Sequence, residues 1–285
     1  MRRILTAAAA LSLATAAFAQ GAPQAVGVTS AVVREAKLSN ARITTPRAIT
    51  LRERIALADL IQTGKQSQVQ LMLLDRSVFS IGANARLRID RFVYDPAAGR
   101  SMGASVAKGA FRFMSGRPAR QNASSVSTPV ATIGIRGTVF DGAVGKVAID
   151  VAKGEVVRAS VRDADPETAT LVVLRGPGAG AQGLAMPGAI SVTAGGATVD
   201  LNAPMLAAFV PRAGARPIGP FVLSAPGLRL LQDAIFPAQA RKSGSGKALG
   251  ILAGIGAAAA GAAILGGGNG TTNDDIQPPG NQTGP

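Results

Sequence analysis

From Gln68 to Leu73 the chain alternates, with Val69, Leu71 and Leu73 separated by Gln68, Gln70 and Met72. That is the two-residue period of a half-buried β-strand. Asp75-Arg76-Ser77 supplies turn residues, and Phe79 and Ile81 resume the apolar positions before Gly82-Ala83-Asn84, which predicts a hairpin-like pair. In Ala85–Pro96 the apolar Leu87 and Ile89 are followed by Phe92 and Tyr94. The alternation slips by one residue there, which predicts a bulge between Asp90 and Arg91. Another strand is expected from near Ser105, turning at Lys108-Gly109 and continuing through Ala110 to Met114 with Phe111 and Phe113 inward. Lys146–Val151 and Glu155–Val161 read as two more strands around Lys153-Gly154.

Outside this stretch the periodicity is weaker. Residues 20–49 form a lead-in in which Val26–Val33 reads as a short first strand and Thr45-Pro46 as a break. Beyond Val161, Asp163–Thr168 is a polar break. Leu171–Leu174, Ile190–Thr193 and Ala197–Leu201 read as strands, and Leu228–Phe236 as a brief amphipathic helix with Leu231 and Ile235 on one side. Residues 162–245 either complete a β core or form a loosely folded appendage. Val106–Arg112 is echoed by Val151–Arg158 at an offset of 45 residues, a weak internal repeat that suggests stacked β layers. The fold class is all-β: a layered sandwich, or short solenoid-like coils, followed by an Ala/Gly-rich C-terminal segment.

Ser127 to Phe140 is rich in Thr, Val and Ile, opens at Pro129 and is interrupted by Gly134 and Gly137. It reads as a buried strand with a bulge or tight bend around Arg136. T-P-V-A-T-I-G-I-R-G-T-x-F resembles the signature of the FecR domain, a periplasmic all-β module of Gram-negative bacteria. The resemblance extends upstream through Ile61-Gln62-Thr63-Gly64, Ser67, Val69-Gln70-Leu71, Asp75-Arg76-Ser77, Ile89–Pro96 and Lys108–Phe113. A FecR-like domain is therefore expected over residues 50–161. Its signature residues Thr128, Pro129, Thr132, Gly134, Arg136, Gly137, Thr138 and Phe140 are candidates for structural or partner-binding roles.

Two positions depart from the family pattern. Arg76 stands where a turn Gly is usual, so that turn must avoid positive φ or bear strain. Val139 stands where an acidic residue is frequent, which removes any role of that carboxylate here. The resemblance implies a binding or signalling module. Its best-known members carry a cytoplasmic anti-sigma region and a transmembrane helix ahead of the domain, and relay occupancy of an outer-membrane iron-siderophore receptor to a sigma factor. No such anti-sigma region is expected in this chain.

Targeting signals frame the domain. Arg2 and Arg3 precede an apolar run from Ile4 to Ala16, and Ala17-Phe18-Ala19 has the small-x-small form of a cleavage site. Residues 1–19 are thus read as a signal peptide for export to the periplasm or envelope of a Gram-negative cell. Residues 246–268 form an apolar Ala/Gly segment whose uncharged run, 248–265, is 18 residues long. That is just enough to cross a bilayer, yet its hydrophobicity is marginal and its basic flank lies on the wrong side for an exported domain. Membrane association and a flexible or aggregating tail both stay open. Residues 269–285, rich in Gly, Asn, Pro and Thr, are expected to be disordered.

Composition then excludes chemistry. There is no Cys and no His, which removes disulfides, thiol nucleophiles, imidazole bases and nearly every zinc or haem site. No cofactor, no metal site and no enzyme activity are expected. Candidate carboxylate pairs such as Asp90 with Asp95 are explained as well by strand and turn positions, and a chain with 4% aromatic residues and no Trp is poor in sugar platforms. Asp163, Asp165 and Glu167 alternate like calcium ligands but lack the spacing and Gly of a known loop, so a solvated turn is expected. The Gly-rich stretch 175–183 lacks the terminal Lys-Ser/Thr of a phosphate loop.

The formal charge of +14 falls to +12 when Arg2 and Arg3 are removed. Export and the scarcity of aromatic residues argue against nucleic acid as the partner. Arg86, Arg88, Arg91, Arg100, Arg112, Arg117 and Arg120 are expected as outward positions on strands and turns. The expected partner is an envelope protein or an anionic envelope ligand such as a phosphate- or carboxylate-bearing polymer. The other reading is a structural or surface-displayed envelope protein retained through its Ala/Gly segment.

Overall fold

A computed structural model describes residues 24–95, 99–117, 122–177 and 188–237, and these hold seventeen β-strands and two α-helices. The signal peptide expected over residues 1–19, the 246–268 segment, the 269–285 tail, Arg120 and most of the glycine-rich stretch lie outside the described residues.

The strands fall into two sheets. The first runs in the order β4 (Arg54–Ala56), β1 (Ala25–Val33), β6 (Gln68–Leu73), β7 (Val78–Ile81), β9 (Gly99–Met114), β12 (Thr138–Val144), β13 (Thr170–Pro177), β16 (Leu206–Val210) and β17 (Ile218–Val222), antiparallel throughout. The second runs in the order β3 (Arg47–Ala48), β2 (Ala36–Ser39), β5 (Leu60–Thr63), β8 (Arg86–Asp95), β9 again, β10 (Asn122–Ser127), β11 (Thr132–Arg136), β14 (Ala189–Ala194) and β15 (Ala197–Leu201). Only the β9–β10 pair among these is parallel.

β9 belongs to both sheets. Its first half buries Met102, Ala104 and Val106, and its second half buries Phe111 and Phe113, so the inward phase changes between them. Gly109, at φ 89°, makes that change. A Cβ there would lie 2.4 Å from the Ala85 Cβ, so only glycine fits both the conformation and the space. The turn expected at Lys108-Gly109 is thus a bend within one continuous strand.

The sheets face each other across an apolar core in which Val69, Phe79, Phe111, Phe113 and Phe140 meet Leu87, Ile89, Ile133 and Val192. Phe113 stacks against Phe79 and Phe140 with ring centroids 4.8 and 5.7 Å apart, and Phe111 meets Phe140 edge-on at 5.9 Å. Each fully buried ring of this kind contributes about 1.5–3 kcal/mol relative to exposure. The all-β sandwich follows from two-sided alternation, and the bulge expected after Ile89 is present: Ile89 faces Ala104 while Arg91 faces Gly103, with Asp90 as the extra residue.

The back of the first sheet carries a second apolar layer. Ala143, Leu171, Val173 and Phe209 pack there against helices α1 (Lys146–Ala152) and α2 (Ala225–Ile235). Ser224 caps α2 by accepting from the Gly227 N–H at 3.1 Å, and the buried Glu155 accepts from both the N–H and the hydroxyl of Ser224.

α1 corrects the expectation of strands at Lys146–Val151 and Glu155–Val161. Gly145, at φ 80°, ends the preceding strand, and Ala148, Ile149, Val151 and Ala152 are buried at helical spacing. Packing overrides the strand preference of Val and Ile. The second segment is a 3₁₀ turn over Arg158–Asp163. The apparent repeat dissolves with it, since one copy lies in a bent strand and the other at a helix end. β1 and β2, from the lead-in, pair with β6 and β5, and β13 and β14, from beyond Val161, pair with β12 and β11, with β15 to β17 extending the two sheets outward from them. The region beyond Val161 therefore completes the β core.

A signature corner and a hydroxylated sheet face

The signature segment is two strands joined at a corner. β11 lies in the second sheet, β12 in the first, and Gly137 at φ 57° makes the crossing. The Ser127–Phe140 stretch is thus not one buried strand. In β11, Ile133 and Ile135 point into the core while Thr132, Gly134 and Arg136 point outward.

The remaining signature residues hold this corner. Thr128 closes the β10–β11 turn: its hydroxyl accepts from the Ala131 N–H at 3.0 Å, and the exposed Pro129 occupies the turn itself. Thr138 is fully buried, donates its hydroxyl to the Gly176 carbonyl at 2.6 Å, and its N–H donates to the Ser115 hydroxyl. Phe140 fills the centre of the core.

Register places the outward residues of β11 in a continuous face. Ser105, Ser127, Thr132, Thr193 and Thr198 lie side by side across β9, β10, β11, β14 and β15. The next rank is Gly103, Ser125, Gly134, Ser191 and Asp200, and beyond it lie the pairs Ser101–Ala123 and Arg136–Ala189. A Cβ on Gly134 would stand 2.5 Å from the Ser191 hydroxyl, so glycine keeps that neighbour in place. The result is a flat surface of short, hydroxyl-bearing side chains.

Arginines border this face along β8. Arg86, Arg88 and Arg91 are all exposed, and the bulge at Asp90 turns Arg91 outward where strict alternation would bury it. Asp90 binds Arg88 at 2.5 Å and also accepts from Ser105. Arg86, Arg91 and Arg136 have no ion-pair partner among the described residues. At the margin of the same sheet, a groove of about 200 Å³ is lined by Glu35, Lys37, Gln62, Thr63 and Gly64.

Two arginines expected on the surface are buried instead. Arg100 binds Asp75 at 3.0 Å beside Ser77, and Arg112 binds Asp141 through Nε at 2.6 Å and Nη2 at 2.8 Å. Burial works against the Arg112 charge, but the hydrogen bond and the attraction of Asp141 outweigh it and hold its pKa above the ordinary value. Arg175 stands 3.6 Å from the same carboxylate. Burial lowers its pKa, assisted by the repulsion of Arg112 and opposed by Asp141. The Phe236 ring covers Arg112, 5.0 Å from its guanidinium carbon.

Arg112 and Asp141 belong to a polar row, Gln70, Ser80, Arg112 and Asp141, on the back of the first sheet. Gln68 and Gln70 are accordingly buried, where alternation alone predicts exposure. Asp165 accepts from the Glu167 N–H and the Thr168 hydroxyl, a turn rather than a cation loop. Among the described residues no group of three acidic ligands is arranged to hold a metal, and no helix is long and apolar enough to cross a membrane.

The family profile described as FecR protein matches residues 59–157. No curated protein sequence matches the chain. Two crystal structures of a candidate anti-sigma factor from Parabacteroides distasonis ATCC 8503 are similar at 15% and 16% identity, with TM-scores of 0.38 and 0.37. In each case the match covers 56% of this chain and 57% of the other. A structure described as a cell surface anchoring domain matches at 17% identity and a TM-score of 0.22, over 23% of this chain and 84% of its own. From β5 through α1, residues 59–157 of this chain match the FecR family, and the signature corner lies in the C-terminal half of that match.

Proposed function

We propose that this protein is a non-catalytic recognition module of the cell envelope, exported through residues 1–19 and engaging its partner through the signature-bearing sheet. One observation carries the reading. The signature strand β11 sends Ile133 and Ile135 into the core and presents Thr132, Gly134 and Arg136 on a broad polar face. The residues that identify the domain thus also build a surface.

The side-chain chemistry fits recognition without catalysis. The chain has neither His nor Cys, and its buried carboxylates are spent on structure: Asp75 and Asp141 are engaged by arginines, Asp59 accepts from Asn40 and the Ala56 N–H, and Glu155 is tied to the Ser224 helix cap. A photo-crosslinking residue in place of Thr132, in the full chain expressed in its native envelope, tests the reading. A discrete adduct in the envelope fraction is expected. The chain remaining in the cytosol with its leader attached, or no adduct from the envelope, overturns it.

A further inference from the structure

We infer that the outward face of the second sheet is a platform for an anionic polysaccharide, gripped by hydroxyls across β9 to β14 and by Arg86, Arg91 and Arg136. This rests on the reading of the protein as an envelope recognition module and assigns its ligand class.

The face is smooth because its ranks from β9 to β14 are built from Ser, Thr, Gly and Ala, apart from Arg136, with Asp200 standing at the β15 edge. Adjacent strands stand about 4.8 Å apart, so β8 to β14 offers about 20 Å of nearly flat surface to an extended chain. Short side chains lose little rotamer freedom when a ligand settles on them. Each hydroxyl both donates and accepts, which suits a polyhydroxylated polymer whose groups present both roles.

Charge selects the anionic kind. Asp90 already holds Arg88, whereas the exposed Arg86, Arg91 and Arg136 lack an ion-pair partner among the described residues. Their planar guanidinium forks match carboxylate or phosphate groups along a polymer.

Other occupants fit the face less well. Protein interfaces concentrate binding energy in Trp, Tyr and Arg and are depleted in Ser and Ala. A membrane surface would call for an apolar insertion, and Val93 is the exposed large aliphatic at this border. Nucleic acid would call for aromatic stacking platforms, and these ranks contain none.

The test is binding of the full exported chain to immobilised polygalacturonate, with dextran as the neutral polymer and phosphatidylglycerol vesicles as the anionic lipid. Retention on polygalacturonate but not dextran is expected, weakening with added salt. Arg86→Gln, Arg91→Gln and Arg136→Gln combined should weaken it at least tenfold with an unchanged melting temperature. A control triple variant at the exposed Arg158, Arg162 and Arg229 should bind like the parent. Equal loss in both triples, no loss in the first, or binding that follows vesicles instead of the polymer overturns the assignment. Failure of the parent chain to bind the polymer, with the Thr132 envelope adduct retained, would remove this inference alone. Polymer binding without any envelope adduct would remove the recognition reading instead.

Discussion

Arg112 and Asp141 pair side by side on adjacent strands, both buried, with two hydrogen bonds between guanidinium and carboxylate. Arg175 is a second cation on the same carboxylate. The consequence is asymmetric. Asp141→Ala strands the buried Arg112 and deprives the partly buried Arg175 of its counter-charge, and should cost about 3–5 kcal/mol, whereas Arg112→Met leaves Asp141 with Arg175 and should cost less. The double variant Arg112→Met, Asp141→Leu should be milder than Asp141→Ala alone. Urea unfolding of the three proteins checks the order.

Arg76 occupies the left-handed region at φ 65° in the β6–β7 turn. A side chain there costs roughly 1–2 kcal/mol that glycine does not, offset in part by the extra freedom glycine gives the unfolded chain. Arg76→Gly should therefore stabilise the protein by about 0.5–1 kcal/mol, read as a rise in the denaturation midpoint at constant slope.

Gly137 and Gly109 both have positive φ but differ in what surrounds them. A Cβ on Gly137 meets nothing within 4 Å, while one on Gly109 collides with both Cβ and Cα of Ala85. Gly137→Ala should cost about 1 kcal/mol of backbone strain. Gly109→Ala adds overpacking and should cost about 2–5 kcal/mol. Thermal unfolding of the pair separates the two effects.

Glu53 is bound by Arg47 at 2.5 Å and by the Thr50 N–H at 2.8 Å. Burial pushes its pKa upward, but these contacts prevail and hold it below the ordinary value. A depressed folded-state pKa gives stability that is complete above the unfolded value of about 4.3 and is lost as pH falls through the folded one. Glu53→Gln should therefore flatten the acid limb of the stability profile below about pH 5 and leave the slope near neutrality unchanged. Because Arg47 is half exposed, the effect should be about 0.5 kcal/mol.

Alternation made much of the sandwich legible, because β6, β7 and β8 each bury one face against the core. It even located the Asp90 bulge, since a slip in phase has no other cheap explanation in a strand. It failed at α1, where Val147, Ala148, Ile149 and Val151 satisfy strand and helix spacing alike and only the Leu171 layer decides. It also passed over β16, whose Ala207 and Ala208 give little contrast between faces. The fates of Arg100 and Arg112 were hidden because their partners lie 25 and 29 residues away in sequence. The hydroxylated face was hidden for a related reason: Ser105, Thr132 and Thr193 become neighbours only through cross-strand register.

The sharing of β9 between the two sheets has a mechanical outcome. One end of this strand underlies the hydroxylated surface and the other carries the Phe111 and Phe113 rings and the Arg112 pair. Neither half can peel away without loosening the other, so a load applied at the polar surface is borne at once by the aromatic centre. The layers should therefore melt in a single step, and the amides along this strand should be among the slowest in the molecule to exchange with solvent.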